Sequence, residues 1–309
     1  MAGNQRVYKQ RIRSTQTLQK VFRAMELIAS SRIGAARRNA QEAGPYDDAL
    51  SQAVAALGTY SHLDDHPITR RRTDTQRVAV LVVTSDRGMA GAYSATILRE
   101  SEKLLEQLSA SGREPVVFTF GRRAQSYFSF LGRAVEYSWV GESDRPSDHS
   151  IDELARVLLE YFLAPVSAGG VAELHIVFTR YVSMVTQVPE VRRMLPLKIV
   201  DVTGPGELDR SEDADAQTFD SSPLYEFEPS QDVVLDALLT RYVCSRIRNA
   251  LLQAAASELA SRQQAMHTAT DNAEELITTY TRLANAARQS DITQEITEIV
   301  SGADSLGPE

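Results

Sequence analysis

The run Ser230–Ser301, SQDVVLDALLTRYVCSRIRNALLQAAASELASRQQAMHTATDNAEELITTYTRLANAARQSDITQEITEIVS, contains neither proline nor glycine. Inside a helix a proline costs about 3 kcal/mol and a glycine about 1. The run is rich in Ala, Leu, Gln, Glu and Arg, so it predicts a single helix. At about 1.5 Å per residue that helix reaches roughly 100 Å, whereas globular helices average about 11–12 residues. A compact domain cannot cover such an element, and it is expected to protrude. Its apolar side chains run Leu235, Leu239, Val243, Ile247, Leu251, Ala255, Leu259, Met266, Ala269, Ala273, Ile277, Tyr280, Ala284 and Ala287. Their mean step is about 3.7 residues, nearer a straight helix than a strict 3.5-residue seam.

A second stripe lies at the other end of the chain: Leu18, Phe22, Met25, Ala29, Ile33, Ala36, Ala40, Ala43, Tyr46, Leu50, Val54 and Leu57. Its step of about 3.5 residues is that of a coiled-coil seam. Gly34 and Gly44-Pro45 are its weak points, and Pro45 either ends the helix or kinks it. Each stripe alone exposes an apolar face. The economical arrangement is an antiparallel two-helix coiled coil, with the middle of the chain as a head. Many stripe positions are alanine, which allows close approach but buries little area.

The middle reads differently. Arg77–Thr84 (RVAVLVVT) is a β-branched run suited to a strand buried on both faces. A helix over Ser94–Leu108, a strand Val116–Phe120, a short helix Ala124–Leu131 and a strand Val135–Val140 follow. Then come a helix Ile151–Leu163, a strand Glu173–Val182 and an edge strand Val191–Val200 after Pro189. Alternating strands and helices imply a central Rossmann-like open α/β domain, mostly parallel. The fold class is therefore α/β plus long helices. The expected segments are 1–60 (first coiled-coil helix), 75–203 (head), 204–230 (acidic loop), 231–303 (second coiled-coil helix) and 304–309 (tail).

Composition narrows function by exclusion. The chain has 309 residues, 43% hydrophobic and 24% charged, as expected of an intracellular soluble protein with a real core. A single cysteine, Cys244, excludes a disulfide framework and a thiolate metal cluster, and the five histidines show no metal-site spacing. The longest wholly apolar run is Val78–Val83, far short of the roughly 20 residues a membrane helix needs. Net charge is −8 but uneven. Residues 1–40 carry nine Lys/Arg against Glu26 alone, and residues 204–236 carry ten acids against Arg210. A basic N-terminal stretch fits nucleic acid, an anionic surface, a transit peptide or an acidic protein partner. Few aromatics and no nucleic-acid motif argue against the first. The apolar pattern continues unbroken past residue 40, which argues against a transit peptide, and a bacterial origin is expected.

Candidate chemistry is sparse. Ser85-Asp86-Arg87-Gly88-Met89-Ala90-Gly91-Ala92 follows a strand and precedes a helix, where α/β folds bind phosphates. It matches neither phosphate-loop signature and also reads as a tight strand–helix turn. A triad through Ser85 lacks the nucleophile-elbow pattern. Asp47-Asp48 and Asp64-Asp65 read as caps or solvated faces, and Cys244 as a buried inert thiol.

Three segments together resemble the gamma subunit of the F-type rotary ATP synthase. Ile12–Arg32 (IRSTQTLQKVFRAMELIASSR) is similar to that family's opening helix. Ser85-Asp86-Arg87-Gly88 is similar to its S-D-R-G-L-C-G-G loop, with Ala90 and Ala92 departing from it. Ser257–Gly302 resembles its C-terminal signature most closely, in SELASRQQAMHTATDNA and in ARQSDITQEITEIVSG. The likeness covers essentially the whole chain. It implies a non-catalytic rotor shaft that couples proton translocation to ATP synthesis and regulates ATPase activity and proton flow. The implied partners are three alpha and three beta subunits, the epsilon subunit and the c-subunit ring, with no cofactor and no nucleic acid. The implied location is peripheral, on the cytoplasmic face of a bacterial plasma membrane.

By motif, Arg288, Gln289, Thr293 and Glu295 match the family's polar contact zone with the beta subunits, and Met25 matches the N-terminal position facing it. Ile292, Ile296, Ile299 and Val300 fit an apolar bearing at the tip. Read without the resemblance, Arg288 and Glu295 form an i, i+7 pair on a solvated face and Met25 is a seam residue. An intracellular coiled-coil scaffold with a docking head, and an enzyme binding a phosphorylated ligand at 85–92, are the alternatives. The basic N-terminal helix, including Arg32, Arg37 and Arg38, is expected to face acidic loops of the ring.

Overall fold

The computed structural model describes residues 2–60, 66–197, 228 and 231–304. The acidic segment 204–230, apart from residue 228, and the tail beyond 304 lie outside the described residues. Helix α1 spans Ala2–Tyr60 and helix α5 spans Gln231–Asp304. Pro45 lies inside α1, which continues through it; the proline therefore does not end the helix. Between them come β1 (Arg77–Val83), α2 (Tyr93–Ala110), β2 (Glu114–Phe120), α3 (Arg122–Phe130) and β3 (Val135–Trp139). They are followed by α4 (Asp148–Leu163), β4 (Glu173–Tyr181) and β5 (Gln187–Leu195).

The chain divides into two compact units, Met1–Ser31 with Arg262–Glu309, and Arg32–Ser261. The second holds a five-stranded sheet in the order β3-β2-β1-β4-β5. Strand β1 is parallel to both neighbours, with Val83 opposite Phe120 on β2 and Val82 opposite Val177 on β4. Strand β5 is antiparallel to β4. It begins at Gln187 and runs through Pro189, earlier than the expected Val191, because an outer strand tolerates a residue with no amide hydrogen.

The alternation in β1 explains the layers. Val78, Val80 and Val82 meet Ile97 and Leu105 of α2 and Phe128 of α3 on one face. Ala79, Leu81 and Val83 join Leu154, Leu158 and Phe162 of α4 on the other, together with Leu239, Val243 and Ile247 of α5. Part of the long helix is thus a core element of the head. Ser147 caps α4 by accepting the Ser150 amide at 3.2 Å, with Asp148 in the first turn. Gly121 precedes α3 at φ 102°, and a Cβ there would sit 2.1 Å from the Thr84 carbonyl oxygen. The ends of β1 and β2 can therefore meet this closely only over a glycine.

In the same unit α1 is tied to α5 by one buried carboxylate. Asp47 accepts the Ser245 hydroxyl at 2.7 Å and the Asn249 amide at 3.2 Å. Arg32 pairs with Asp144 at 2.8 Å, a contact within the head. In the first unit Tyr8 stacks on Tyr280 at 6.5 Å and Glu26 meets His267 at 3.0 Å. As the residue number rises on α1 it falls on α5, so the two segments run in opposite directions.

Candidate functional site

Two places could carry function: the carboxyl edge of the sheet, where α/β folds bind ligands, and the solvent faces of the long helices. Chain order reverses between β1 and β4, which makes the space beyond their carboxyl ends the expected ligand crevice. Helix α5 fills it. The Ser257 hydroxyl donates to the Thr179 carbonyl at 3.1 Å, and the Tyr181 amide donates to the Gln253 side chain at 3.1 Å. The Tyr93 hydroxyl donates to the Ala254 carbonyl at 3.1 Å.

The 85–92 turn is likewise occupied by protein groups. The Asp86 carboxylate accepts the backbone amides of Arg122 at 3.0 Å and Ser143 at 2.8 Å. Ser85 and Ser94 hydroxyls lie 2.7 Å apart. Met89 (φ 62°) and Gly91 (φ 57°) turn the chain tightly. The Asp86 side chain thus ties this turn to the start of α3 and to the Ser143 segment, so the turn works as a joint. Burial pushes the Cys244 thiol up, which keeps it protonated and unreactive. Among the described residues no group of His, Cys, Asp and Glu is arranged to hold a metal, and no helix is long and apolar enough to cross a membrane.

On α5, Arg288, Gln289, Ile292, Thr293, Glu295, Ile296, Ile299 and Val300 are all exposed. At 3.6 residues per turn they share one side about 160° wide, so the helix brings the polar zone and the apolar residues together. Ile299 is 71% exposed and Ile296 56%, which is unusual for adjacent aliphatic side chains on a finished surface. Neither Arg288 nor Glu295 has an ion pair among the described residues, so the i, i+7 pair does not form. The Thr293 hydroxyl instead donates to the Gln289 carbonyl at 2.9 Å.

Met25 does not join this zone. Its neighbour Glu26 sits beside His267, and residue 288 lies roughly 30 Å farther along the α5 axis. Met25 is half-buried at a separate level. Arg6, Lys9, Arg13, Lys20 and Arg23 are exposed, without ion pairs among the described residues. Their spacing places them in a stripe about 100° wide on α1. The charge is evident in composition alone, whereas the stripe emerges only from helical spacing.

Comparison with known proteins decides the family. A model of the family described as ATP synthase matches residues 4–306. The ATP synthase gamma chain of Beutenbergia cavernae is 59% identical over 306 residues, covering 99% of each chain. The chain belongs to the ATP synthase gamma chain family. The gamma chain of Bifidobacterium adolescentis is 50% identical over 306 residues, covering 98% of both chains. Among solved structures, a chain of the Euglena gracilis mitochondrial ATP synthase (OSCP/F1/c-ring) has a similar fold. The TM-score is 0.63 at 14% identity, covering 99% of this chain and 95% of that one. A central stalk/c-ring chain of the Tetrahymena thermophila enzyme gives 0.56 at 19% identity, covering 81% and 99%. The chain is accordingly a non-catalytic subunit of an ATP synthase, and the scaffold alternative is not favoured.

Proposed function

We propose that this chain works as the central shaft by winding α1 and α5 into an antiparallel coiled coil within a ring of three alpha and three beta subunits. Its head then rests beside the epsilon subunit and the c ring, on the cytoplasmic face of a bacterial plasma membrane. Proton flow turns ring and shaft together, and the shaft meets each catalytic beta site in a different orientation. Only such differential contact can shift an equilibrium among site states. The same contact, working backwards, regulates ATP hydrolysis and proton flow.

Arg288, Gln289, Thr293 and Glu295 form the polar contact with the beta subunits. Ile292, Ile296, Ile299 and Val300 form the bearing, since apolar contacts are non-directional and have no polar pairs to break at each step. Met25 is a second contact at its own level. The basic stripe of α1, with Arg37 and Arg38, faces acidic loops of the ring. The observation that carries this reading is the full-length identity to gamma chains. Support also comes from the opposed pairs Tyr8–Tyr280 and Glu26–His267.

Deleting residues 285–309 in the assembled synthase tests it. ATP turnover is expected to persist while proton pumping falls away. Retention of full pumping overturns the assignment of the contact zone. Charge reversal at Arg37 and Arg38 is expected to impair assembly or ATP synthesis, and no effect on either would remove the basic helix from the contact.

A further inference from the structure

Residues Ala254 through Ala260 of α5 are buried at every position, so the helix is enclosed on all sides there and not on one stripe. The sequence suits this, because Ala254, Ala255, Ala256, Ser257 and Ala260 let neighbouring backbones come close. Such a short alanine-rich span buries little apolar area, so apolar contact alone would hold it loosely against rotation about its axis. Directional bonds do resist rotation, and they occur here at i, i+4 and i+8. Gln253 holds the Tyr181 amide, Ser257 the Thr179 carbonyl and Ser261 the Gln187 side chain, the last at 3.1 Å. The Tyr93 hydroxyl of α2 also donates to the Ala254 carbonyl.

We propose that the carboxyl edge of the sheet, the place where related α/β folds hold a ligand, is here a torque clamp. Gln253, Ser257 and Ser261 are positioning residues that key α5 to β4 and β5, and Tyr93 keys it to α2. A non-directional contact slips when the helix is turned, whereas each of these bonds lengthens as soon as the helix rotates. The clamp turns the head and the helix as one body. This inference rests on the shaft reading above.

The test uses the whole synthase reconstituted in liposomes, with the variant Tyr93→Phe/Gln253→Leu/Ser257→Ala. ATP hydrolysis and ATP-driven proton pumping are measured together, with the angular spread of a probe on the head of the stalled rotor. The clamp predicts retained hydrolysis, a lower ratio of protons pumped to ATP hydrolysed as the opposing gradient grows, and a broader angular spread. An unchanged ratio and spread in an assembled variant overturns the clamp. A role in stability alone would lower the melting temperature and leave both readouts unmoved. If the triple variant does not assemble, Tyr93→Phe, which removes one hydroxyl, is judged by the same ratio and spread. If the wild-type chain itself supports no pumping in a complete synthase, it is the shaft reading that fails.

Discussion

Asp47 offers the most direct check on how α1 is held against α5 in the head-containing unit. Its side chain is buried, at 6% exposure, and accepts from Ser245 and Asn249. Asp47→Ala strips the acceptor from two donors, one of them on Ser245, itself 6% exposed. A hydrogen bond to a charged group contributes about 1.5–3 kcal/mol, and a buried donor left without a partner costs about 1–3. Against this stands the relief of no longer burying a carboxylate. The net expectation is a local loss of about 2 kcal/mol. With about 1.4 kcal/mol per factor of ten, amide hydrogen exchange in residues 40–54 and 243–251 should quicken by roughly 30-fold. Exchange in β1 should change far less. Asp47→Asn keeps an acceptor for Ser245 and should show about half the effect in kcal/mol. A rise below about threefold for Asp47→Ala would refute the view that this carboxylate fixes the pairing.

Two glycines should respond in opposite ways. Gly121→Ala places a methyl 2.1 Å from the Thr84 carbonyl oxygen at φ 102° and should lower stability in urea by about 3 kcal/mol or more. Gly34 is helical with nothing within 4 Å of an added Cβ, so Gly34→Ala should stabilise by about 0.5–1 kcal/mol. His175 and Glu173, 3.0 Å apart, set an acid-side slope. Burial holds the His175 imidazole below its ordinary 6.5, despite the partner carboxylate. For Glu173 burial alone would raise the carboxyl, but the His175 hydrogen bond and the charges of His175 and Arg113 hold it below its ordinary 4.5. Both folded-state values are depressed, so the unfolded chain binds more protons. Their stabilisation is complete above about pH 6.5 and is lost as pH falls, first through His175 and then, below about pH 4.5, through Glu173. Urea midpoints for His175→Gln should therefore differ less between about pH 7.5 and 5.5 than those of the parent, and equal slopes would refute this.

The long helices and most strands were legible because each announces itself locally. The proline- and glycine-free run forecast α5, and the β-branched run forecast β1. What escaped was non-local. Pro45 and Pro189 carry a breaker's local signal, yet α1 passes through the first and an outer strand accommodates the second. The level of Met25 depends on how residues more than two hundred positions apart align, which no local pattern encodes. The filled crevice is a similar case. The alanines of α5 hint at close approach, but not at the sheet edge they approach.

Pro189 has a consequence beyond its own strand. Exposed outer strands invite another chain to extend the sheet, and β5 presents exposed valines at 188 and 191. A missing amide hydrogen between them breaks the template that a second copy would need. Pairing of two copies edge to edge along β5 is disfavoured by that gap.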